Sequence, residues 1–346
     1  IRSVLNIYQW QDGPAAYPTL RSTNRNDGTP IPWSAMSGLA ASSTNPGAIY
    51  AVEDSFYQQS RIFALDTTST PAMLRGEMRI LDSNGVLAGL DVVQVDAGAA
   101  SDDPSRISVF DSADLDNLVN DDGSVNLDPE GISMASDGGF WVASEGSGTV
   151  GDAGRPINSI NLVLKTDANG VIESVITLPD ELNDVQLRFG FEGIAEYDGK
   201  AYVAFQRAWN GEANPRLGIY DVTAGTWSFV FYPLDTPESQ NGGWVGLSDL
   251  TSLGDDRFLV IERDNQGGPD AAIKRLYRID LSDVSENDTV SKTLVRDLMP
   301  DLAAPGGLTY EKIEGLAVTV DGDVWIINDN DGVDDNSGET QLINLG

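Results

Sequence analysis

A short two-strand unit recurs five times along this chain. Each copy has an apolar strand that opens near a glycine, a tight turn, and an aromatic-rich strand that ends among polar residues. The copies begin with SGLA at 37–40, PEGI at 129–132, FEGIA at 191–195, VGLSDL at 245–250 and IEGLA at 313–317. Repeated hairpins of this kind are typical of a β-propeller, in which each sheet packs against its neighbours. We therefore predict an all-β β-propeller with five visible blades and room for a sixth.

The hairpin geometry places particular charged residues at one end of the fold. In an antiparallel hairpin, the start of the first strand lies beside the end of the second. The repeats thus pair Glu130 with Glu145, Glu192 with Arg207, and Glu314 with Asp329. Arranged around an axis, Glu130, Glu192 and Glu314 are predicted to surround one mouth of a central channel.

Carboxylates held this close together repel one another unless a cation lies among them. Ca²⁺ suits such a site, because it accepts six to eight oxygen ligands. The predicted metal ligands are Glu130, Glu192, Glu314, Asp329 and Asp331. The last two belong to an Asn/Asp-rich segment, 328–335, which partly matches a calcium loop but lacks the closing Glu of an EF-hand. An acidic surface turn is the alternative interpretation of that segment.

Two arginines, Arg207 and Arg263, end the second strands of adjacent repeats. They are predicted to lie at the same mouth, where guanidinium groups could bind a phosphate or carboxylate. Ion pairs with Glu192 or Glu262 are the alternative. The chain has no His and no Cys, which excludes a Ser-His-Asp triad, thiolate chemistry and Cys-ligated zinc.

The net charge of −33 argues against nucleic acid and anionic membrane surfaces as partners. No apolar run is long enough for a spanning helix, so membrane insertion is not expected. The first residues lack the basic and apolar regions of a signal peptide, which favours a mature, secreted or periplasmic chain. The oligomeric state stays open.

No linker divides the chain, so residues 1–346 are interpreted as one domain. A strand at residues 3–10 is expected to complete the last, short blade and close the ring. Residues 86–127 are either a degenerate sixth blade or an insertion. Further strands at RIFALD (61–66), 161–178, 216–234 and KRLYRIDLSD (274–283) are expected to form the outer parts of the blades.

The order of these motifs resembles the phytase-like family of secreted bacterial proteins, known as "esterase-like activity of phytase". The resemblance covers roughly residues 34–335 and rests on LDPEGI, GGFWVASEG, GFEGIA, AYVAFQRAW, GLSDLTSL, FLVIERDN, KIEGLAV and VWIINDND. It implies a propeller that acts on phosphate esters, distantly similar to calcium-dependent propeller phosphatases and lactonases. Ser37 and Val245 stand where the other units carry Glu, which predicts a three-sided acidic site.

The resemblance favours a secreted Ca²⁺-dependent phosphoester hydrolase. In this hypothesis Arg207 and Arg263 hold the phosphate, and Glu145 or Glu262 is the general base. A non-catalytic, Ca²⁺-stabilised binding or cell-surface module and a metal-dependent lactonase are the alternatives. With only 21 Lys and Arg residues, the chain suits a small phosphorylated substrate or another small anionic ligand better than phytate.

Overall fold

A computed structural model describes residues 19–95, 109–209, 211–304, 309–333 and 340–346. Blade 1 contains β1 (Leu20–Ser22), β2 (Met36–Ala41), β3 (Ala48–Glu53), β4 (Arg61–Asp66) and β5 (Ala72–Arg79). A two-stranded ribbon follows, with β6 (Val93–Val95) and β7 (Val109–Asp111). Blade 2 contains β8 (Pro129–Met134), β9 (Phe140–Ser144), β10 (Leu162–Thr166) and β11 (Ile172–Thr177), and the helix α1 (Asp180–Asn183) follows it.

The remaining three blades follow in chain order. Blade 3 contains β12 (Phe191–Tyr197), β13 (Lys200–Phe205), β14 (Arg216–Asp221) and β15 (Thr226–Phe231). Blade 4 contains β16 (Val245–Gly254), β17 (Arg257–Asp264), β18 (Lys274–Asp280) and β19 (Lys292–Asp297), and is followed by α2 (Met299–Ala303). Blade 5 contains β20 (Ile313–Val318), β21 (Val324–Asn328) and β22 (Leu342–Asn344).

The blades form a ring in which the first strand of each antiparallel hairpin lies innermost. The strands β2, β8, β12, β16 and β20 pack side by side around the axis, and β20 returns to β2. Every residue of β9 and β10 is buried, because both faces of an inner strand are covered by neighbouring blades. The outer strand β19 is largely exposed. The structure confirms the predicted five-bladed β-propeller.

Polar contacts join the last blade to the first. The Asn330 side-chain oxygen accepts hydrogen bonds from the Ser34 hydroxyl at 2.9 Å and from the Ala35 amide at 2.7 Å. The Thr19 hydroxyl donates to the Thr340 carbonyl and accepts from the Leu342 amide. The predicted closing strand at residues 3–10 lies outside the described residues, so that prediction stays untested.

The region predicted as a sixth blade or an insertion is an insertion in its described part. It contributes the β6–β7 ribbon and a 3-10 turn at Leu115–Leu118, rather than a four-stranded sheet. Leu87, Phe110 and Leu115 are fully buried against the core of blades 1 and 2. The insertion therefore packs against the first two blades and adds no blade of its own, so the ring has five blades.

All five innermost strands contain the same register shift near their start. Three residues of the inner strand span two of its partner, which is the signature of a β-bulge. The first bulge position holds Ser37, Glu130, Glu192, Ser248 and Glu314, in blade order. The second holds Gly38, Gly131, Gly193, Asp249 and Gly315. The prediction that Val245 occupies the glutamate position is therefore wrong, because the blade 4 bulge begins three residues later.

The glycines at the second bulge position allow the inner strands to approach each other closely. A β-carbon on Gly131 would overlap the Glu192 carbonyl oxygen, and one on Gly193 would overlap the Asp249 carboxylate. Asp249 is the exception at this position, and its buried carboxylate accepts from the Leu250 amide at 2.8 Å and the Leu316 amide at 2.7 Å. Its side chain thus bridges blades 4 and 5 at the axis.

This close approach predicts that Gly131→Ala destabilises the ring. Relieving the overlap with the Glu192 backbone requires blades 2 and 3 to separate, since a carbonyl cannot rotate away as a side chain does. We expect the free energy of unfolding to fall by about 3 kcal/mol, at the upper end of overpacking effects. Gly76→Ala is the matched control, because nothing lies within 4 Å of a β-carbon there. Equal urea midpoints for the two variants would contradict the interpretation.

Candidate metal and anion site

The bulge directs Glu130 into a group of carboxylates at one mouth of the ring. Asp128, Glu130 and Glu145 each place one carboxylate oxygen within 4.8 Å of the other two. Asp128 and Glu130 flank the start of β8, and Glu145 follows the paired strand β9. The Ser37 hydroxyl donates to Glu130 at 2.5 Å, and the Ser55 amide donates to Asp128 at 3.2 Å. We call Asp128, Glu130 and Glu145 the acidic triad.

Burial raises the pKa of each carboxyl in the acidic triad, and neighbouring carboxylates add to the effect. Burial is the larger cause for Glu130, followed by the charges of Glu192 and Asp128. Burial, and then Asp128, raise the pKa of Glu145 to about 8. The pKa of Asp128 is raised mainly by burial. The site therefore favours either bound protons or a cation that replaces them.

Two of the predicted ligands, Glu192 and Glu314, lie next to the triad. Both are almost fully buried, and in each the Oε2 atom has no hydrogen-bond partner among the described residues. Their other oxygens accept from Gln206 and Arg263, respectively. Buried carboxylate oxygens without a donor are costly, so these atoms point to a missing electropositive partner.

A lysine pairs with the two other predicted ligands. The Lys312 amino group binds Asp329 at 2.9 Å and also contacts Asp331. Burial opposes the charge of Lys312, but Glu314, Asp329 and Asp331 outweigh it and raise its pKa. Within the described residues, the metal-type grouping contains Asp128 and Glu145 instead of Asp329 and Asp331. The metal-binding role of Asp329 and Asp331 remains a prediction. A metal ion at these two carboxylates would compete with the Lys312 amino group, which already binds both.

An alternating series of arginines and aromatic rings borders the acidic triad. Arg188 and Arg207 both lie 4.6 Å from the Phe189 ring centre, and Arg207 lies 4.7 Å from the Trp244 ring centre. Arg263 lies over Trp244 at 5.7 Å. The series is anchored to the triad, because the amides of Phe189 and Gly190 donate to the Glu145 carboxylate. Burial, and then the charge of Arg188, lower the pKa of Arg207.

The two arginines predicted as phosphate ligands have different surroundings. Arg263 is buried, with its Nε donating to the Ser248 hydroxyl at 2.8 Å and one terminal nitrogen bound to Glu314. Neither Glu192 nor Glu262, the partners suggested by the sequence, is its ion-pair partner. The Arg207 guanidinium is partly exposed, and its contacts within the described parts of the chain are with the rings of Phe189 and Trp244.

Glu262, one of the two predicted bases, is bound by residues outside the acidic triad, and its role as a base stays a prediction. Its carboxylate accepts from the Asp235 amide at 2.7 Å and the Lys292 amino group at 2.6 Å. Adjacent side chains on a strand point to opposite faces, so Arg263 faces blade 5 while Glu262 faces away from it. Glu145, the other predicted base, is a member of the acidic triad.

Sequence reasoning missed Asp128, Lys312 and Arg188 as parts of the site. Asp128 and Lys312 each lie two residues before a glutamate at the bulge. The charged residues just before each repeat were therefore the sequence signal for this part of the site. Arg188 lies in the loop that precedes β12. Its position depends on Phe189, which has a left-handed backbone with φ of 61° that no sequence motif indicates.

A divalent cation fits the residues present. Oxygen-only donors from three clustered carboxylates, with orphaned oxygens of Glu192 and Glu314 alongside, match the preference of Ca²⁺.

Among the described residues, no helix has the length and apolar character needed to cross a membrane.

The fold and this site define a five-bladed β-propeller with a carboxylate centre and an adjoining arginine series at one mouth. The chain belongs to the Phytase-like family, described as "Esterase-like activity of phytase", which it matches over residues 31–332. No curated protein sequence matches the chain.

Solved structures with similar chain paths include three enzymes of low sequence identity. A glycosyl hydrolase from Bacteroides ovatus is 10% identical, with a TM-score of 0.42, and the alignment covers 91% of this chain and 86% of the other. A gluconolactonase from Xanthomonas campestris is 11% identical, with a TM-score of 0.36 and coverages of 86% and 84%. A luciferin-regenerating enzyme is 13% identical, with a TM-score of 0.37 and coverages of 90% and 79%.

Proposed function

We propose that this protein is an exported, Ca²⁺-dependent phosphoester hydrolase. The observation that carries the proposal is that acidic and basic side chains lie next to each other at one mouth of the ring. Three carboxylate oxygens lie within 4.8 Å of one another, and the amides that bind Glu145 belong to the segment that carries Arg188. Such a pairing suits a cation that binds phosphate oxygens and cationic side chains that bind the remaining ones. Membership of a family described by esterase and phytase activity supports it.

The acidic triad would hold the cation, with Glu314 contributing through its unpartnered Oε2 atom. When bound, Ca²⁺ would supply Lewis-acid stabilisation of a phosphoryl group and make a coordinated water more acidic. The amides of Phe189 and Gly190 and the Ser37 hydroxyl orient Glu145 and Glu130 for this task. Preorganised ligands of this kind reduce the cost of ordering the site on binding.

Glu192 is the carboxylate best placed to accept a proton from an attacking water. Its Oε2 is buried and has no partner among the described residues, while Gln206 holds its Oε1. Burial, and then Glu314 and Glu145, raise the pKa of Glu192, which a bound cation would counteract. A carboxylate with a raised pKa is a stronger base than an ordinary one, which favours proton transfer from water.

A metal-dependent lactonase would use the same carboxylates, and a binding module would use them without turnover. The arginine series favours a phosphoester, because a neutral lactone has no anionic oxygens for two guanidinium groups to bind. The expected partner is a small phosphorylated molecule. The net charge of −33 disfavours nucleic acid, as the sequence predicts.

The proposal predicts that purified protein hydrolyses p-nitrophenyl phosphate or bis-p-nitrophenyl phosphate with Ca²⁺ and loses this activity in EDTA. Activity should return when Ca²⁺ is restored, since metal removal takes away the Lewis acid while leaving the fold. Asp283→Asn, an exposed acid outside the site, should behave as wild type. Turnover of a simple lactone but neither phosphoester would favour the lactonase. Retained Ca²⁺ without turnover of any of these compounds would leave a binding module.

A further inference from the structure

Two arginines of this site share an aromatic support, and neither forms an ion pair with a carboxylate among the described residues. The guanidinium carbons of Arg188 and Arg207 both lie 4.6 Å from the centre of the Phe189 ring. Neither guanidinium has a hydrogen bond or ion pair with any residue in the described parts of the chain. By contrast, Arg61, Arg263 and Arg275 are each paired with carboxylates.

Most arginines in the described residues form an ion pair with a carboxylate, and Arg188 and Arg207 are among the few that do not. Asp and Glu number 54 against 21 Lys and Arg, so most positions offer a basic side chain an acidic neighbour. Here the charge of Arg188 acts both on Arg207 and on Glu145 of the acidic triad. Two like charges at short range repel, just as the carboxylates of the acidic triad do, and an anion bound between them would relieve the repulsion.

The aromatic contacts also leave the arginines ready to bind. A guanidinium stacked on a ring keeps the N–H groups on its edge available, and stacking reduces the conformational entropy lost on binding. Phe189 holds this arrangement in a left-handed backbone with φ of 61°, which is an uncommon conformation for a non-glycine residue. Strain of this sort is often retained at ligand sites.

We propose that Arg188 and Arg207 form a subsite for a tetrahedral oxyanion, the phosphoryl group of the substrate, bordered by Phe189 and Trp244. We call these two arginines the arginine pair. Because the amides of Phe189 and Gly190 bind Glu145, a phosphoryl group on the pair lies beside the acidic triad. This assignment replaces Arg263 by Arg188 as the partner of Arg207, since Arg263 is already bound to Ser248 and Glu314.

The role of the pair in turnover rests on the proposed function, but its affinity for an oxyanion does not. The first experiment therefore titrates inorganic phosphate into the EDTA-treated protein by calorimetry, without metal. Wild type should bind phosphate saturably. Arg188→Ala and Arg207→Ala should each raise the dissociation constant about 10-fold, the loss expected for one charge-assisted hydrogen-bonding group. Arg278→Ala, an exposed arginine on β18, is the matched control for net charge and should leave binding unchanged.

A second variant tests geometry rather than charge. Arg207→Lys retains the positive charge but loses the planar fork, so it should restore less than half of the binding free energy lost in Arg207→Ala. In the Ca²⁺-loaded protein, Arg188→Ala should raise KM for p-nitrophenyl phosphate with little change in kcat, as for a contact equally strong in both states.

The outcomes separate this inference from the proposed function. Phosphate binding that depends on the arginine pair, in a protein that hydrolyses no phosphoester, would retain the subsite and reject the hydrolase. Hydrolysis that is unaffected by either arginine substitution would retain the hydrolase and reject the subsite. The inference is overturned if wild type binds no phosphate, or if Arg278→Ala weakens binding as much as Arg188→Ala does.

Discussion

Replacing Glu130 by Gln should reduce Ca²⁺-dependent phosphoester hydrolysis by roughly 100-fold or more, because a central ligand loses its charge. Four other carboxylates act electrostatically on Glu130, namely Glu192, Asp128, Glu314 and Glu145. Glu130 is therefore central to this group, and its substitution should weaken cation binding whichever of the others are ligands. The Gln side chain keeps the shape of Glu and can still accept from the Ser37 hydroxyl. The fold should therefore be retained.

The same substitution should have the opposite effect on stability without metal. Removing one of several clustered, mutually repelling carboxylates lowers the energy of the native state, so Glu130→Gln should unfold at higher urea than wild type in EDTA. In Ca²⁺, wild type should be the more stable of the two proteins, because only wild type gains the full stabilisation by bound Ca²⁺. Lower stability of the variant in both conditions would indicate a structural role for Glu130 and count against the metal site.

The second large effect concerns pH. Without metal, the protein should lose stability as pH rises from about 5 to about 8. Burial and Asp128 raise the pKa of Asp54 to about 7, and burial and Asp128 raise that of Glu145 to about 8. A carboxyl with a raised native pKa holds a proton that the unfolded chain has released, so its stabilisation is present at low pH and lost as pH rises through the native pKa.

Each such carboxyl contributes a slope of about 1.4 kcal/mol per pH unit between its unfolded and native pKa values. Ca²⁺ should flatten this dependence, because a bound cation replaces the protons, and its stabilising effect should be largest near pH 8. The measurement is urea unfolding across this range in EDTA and in excess Ca²⁺. Parallel pH curves in the two conditions would contradict the coupling between carboxyl protonation and metal binding.

The blade count and the shared face of Glu130, Glu192 and Glu314 could be predicted because both follow from hairpin periodicity. The bulge position in blade 4 could not, since the apolar pattern that marks a strand does not show where along it the bulge lies. In blade 4 the bulge places Ser248 and Asp249 where the other later units have Glu and Gly. A motif alignment on the preceding glycine, Gly246, therefore selects the wrong register.

The candidate site was less accessible to sequence reasoning than the fold. Alternation along β17 places the side chains of Arg263 and Glu262 on opposite faces of the strand, which the sequence pattern already indicates. Asp128 and Arg188 are different, because their roles depend on loops whose paths are fixed by contacts between blades. Glu145 shows this most clearly, since its orientation comes from amides of the segment that enters the next blade.

The central claim is that the acidic triad holds a divalent cation, and calorimetric titration of Ca²⁺ into EDTA-stripped, dialysed protein tests it most directly. Wild type, Glu130→Gln and the control Asp283→Asn should be compared under identical conditions. The account predicts saturable Ca²⁺ binding by wild type and the control, and a dissociation constant at least about 10-fold higher for Glu130→Gln. The same Ca²⁺ affinity in all three proteins, or no binding by wild type, would contradict it.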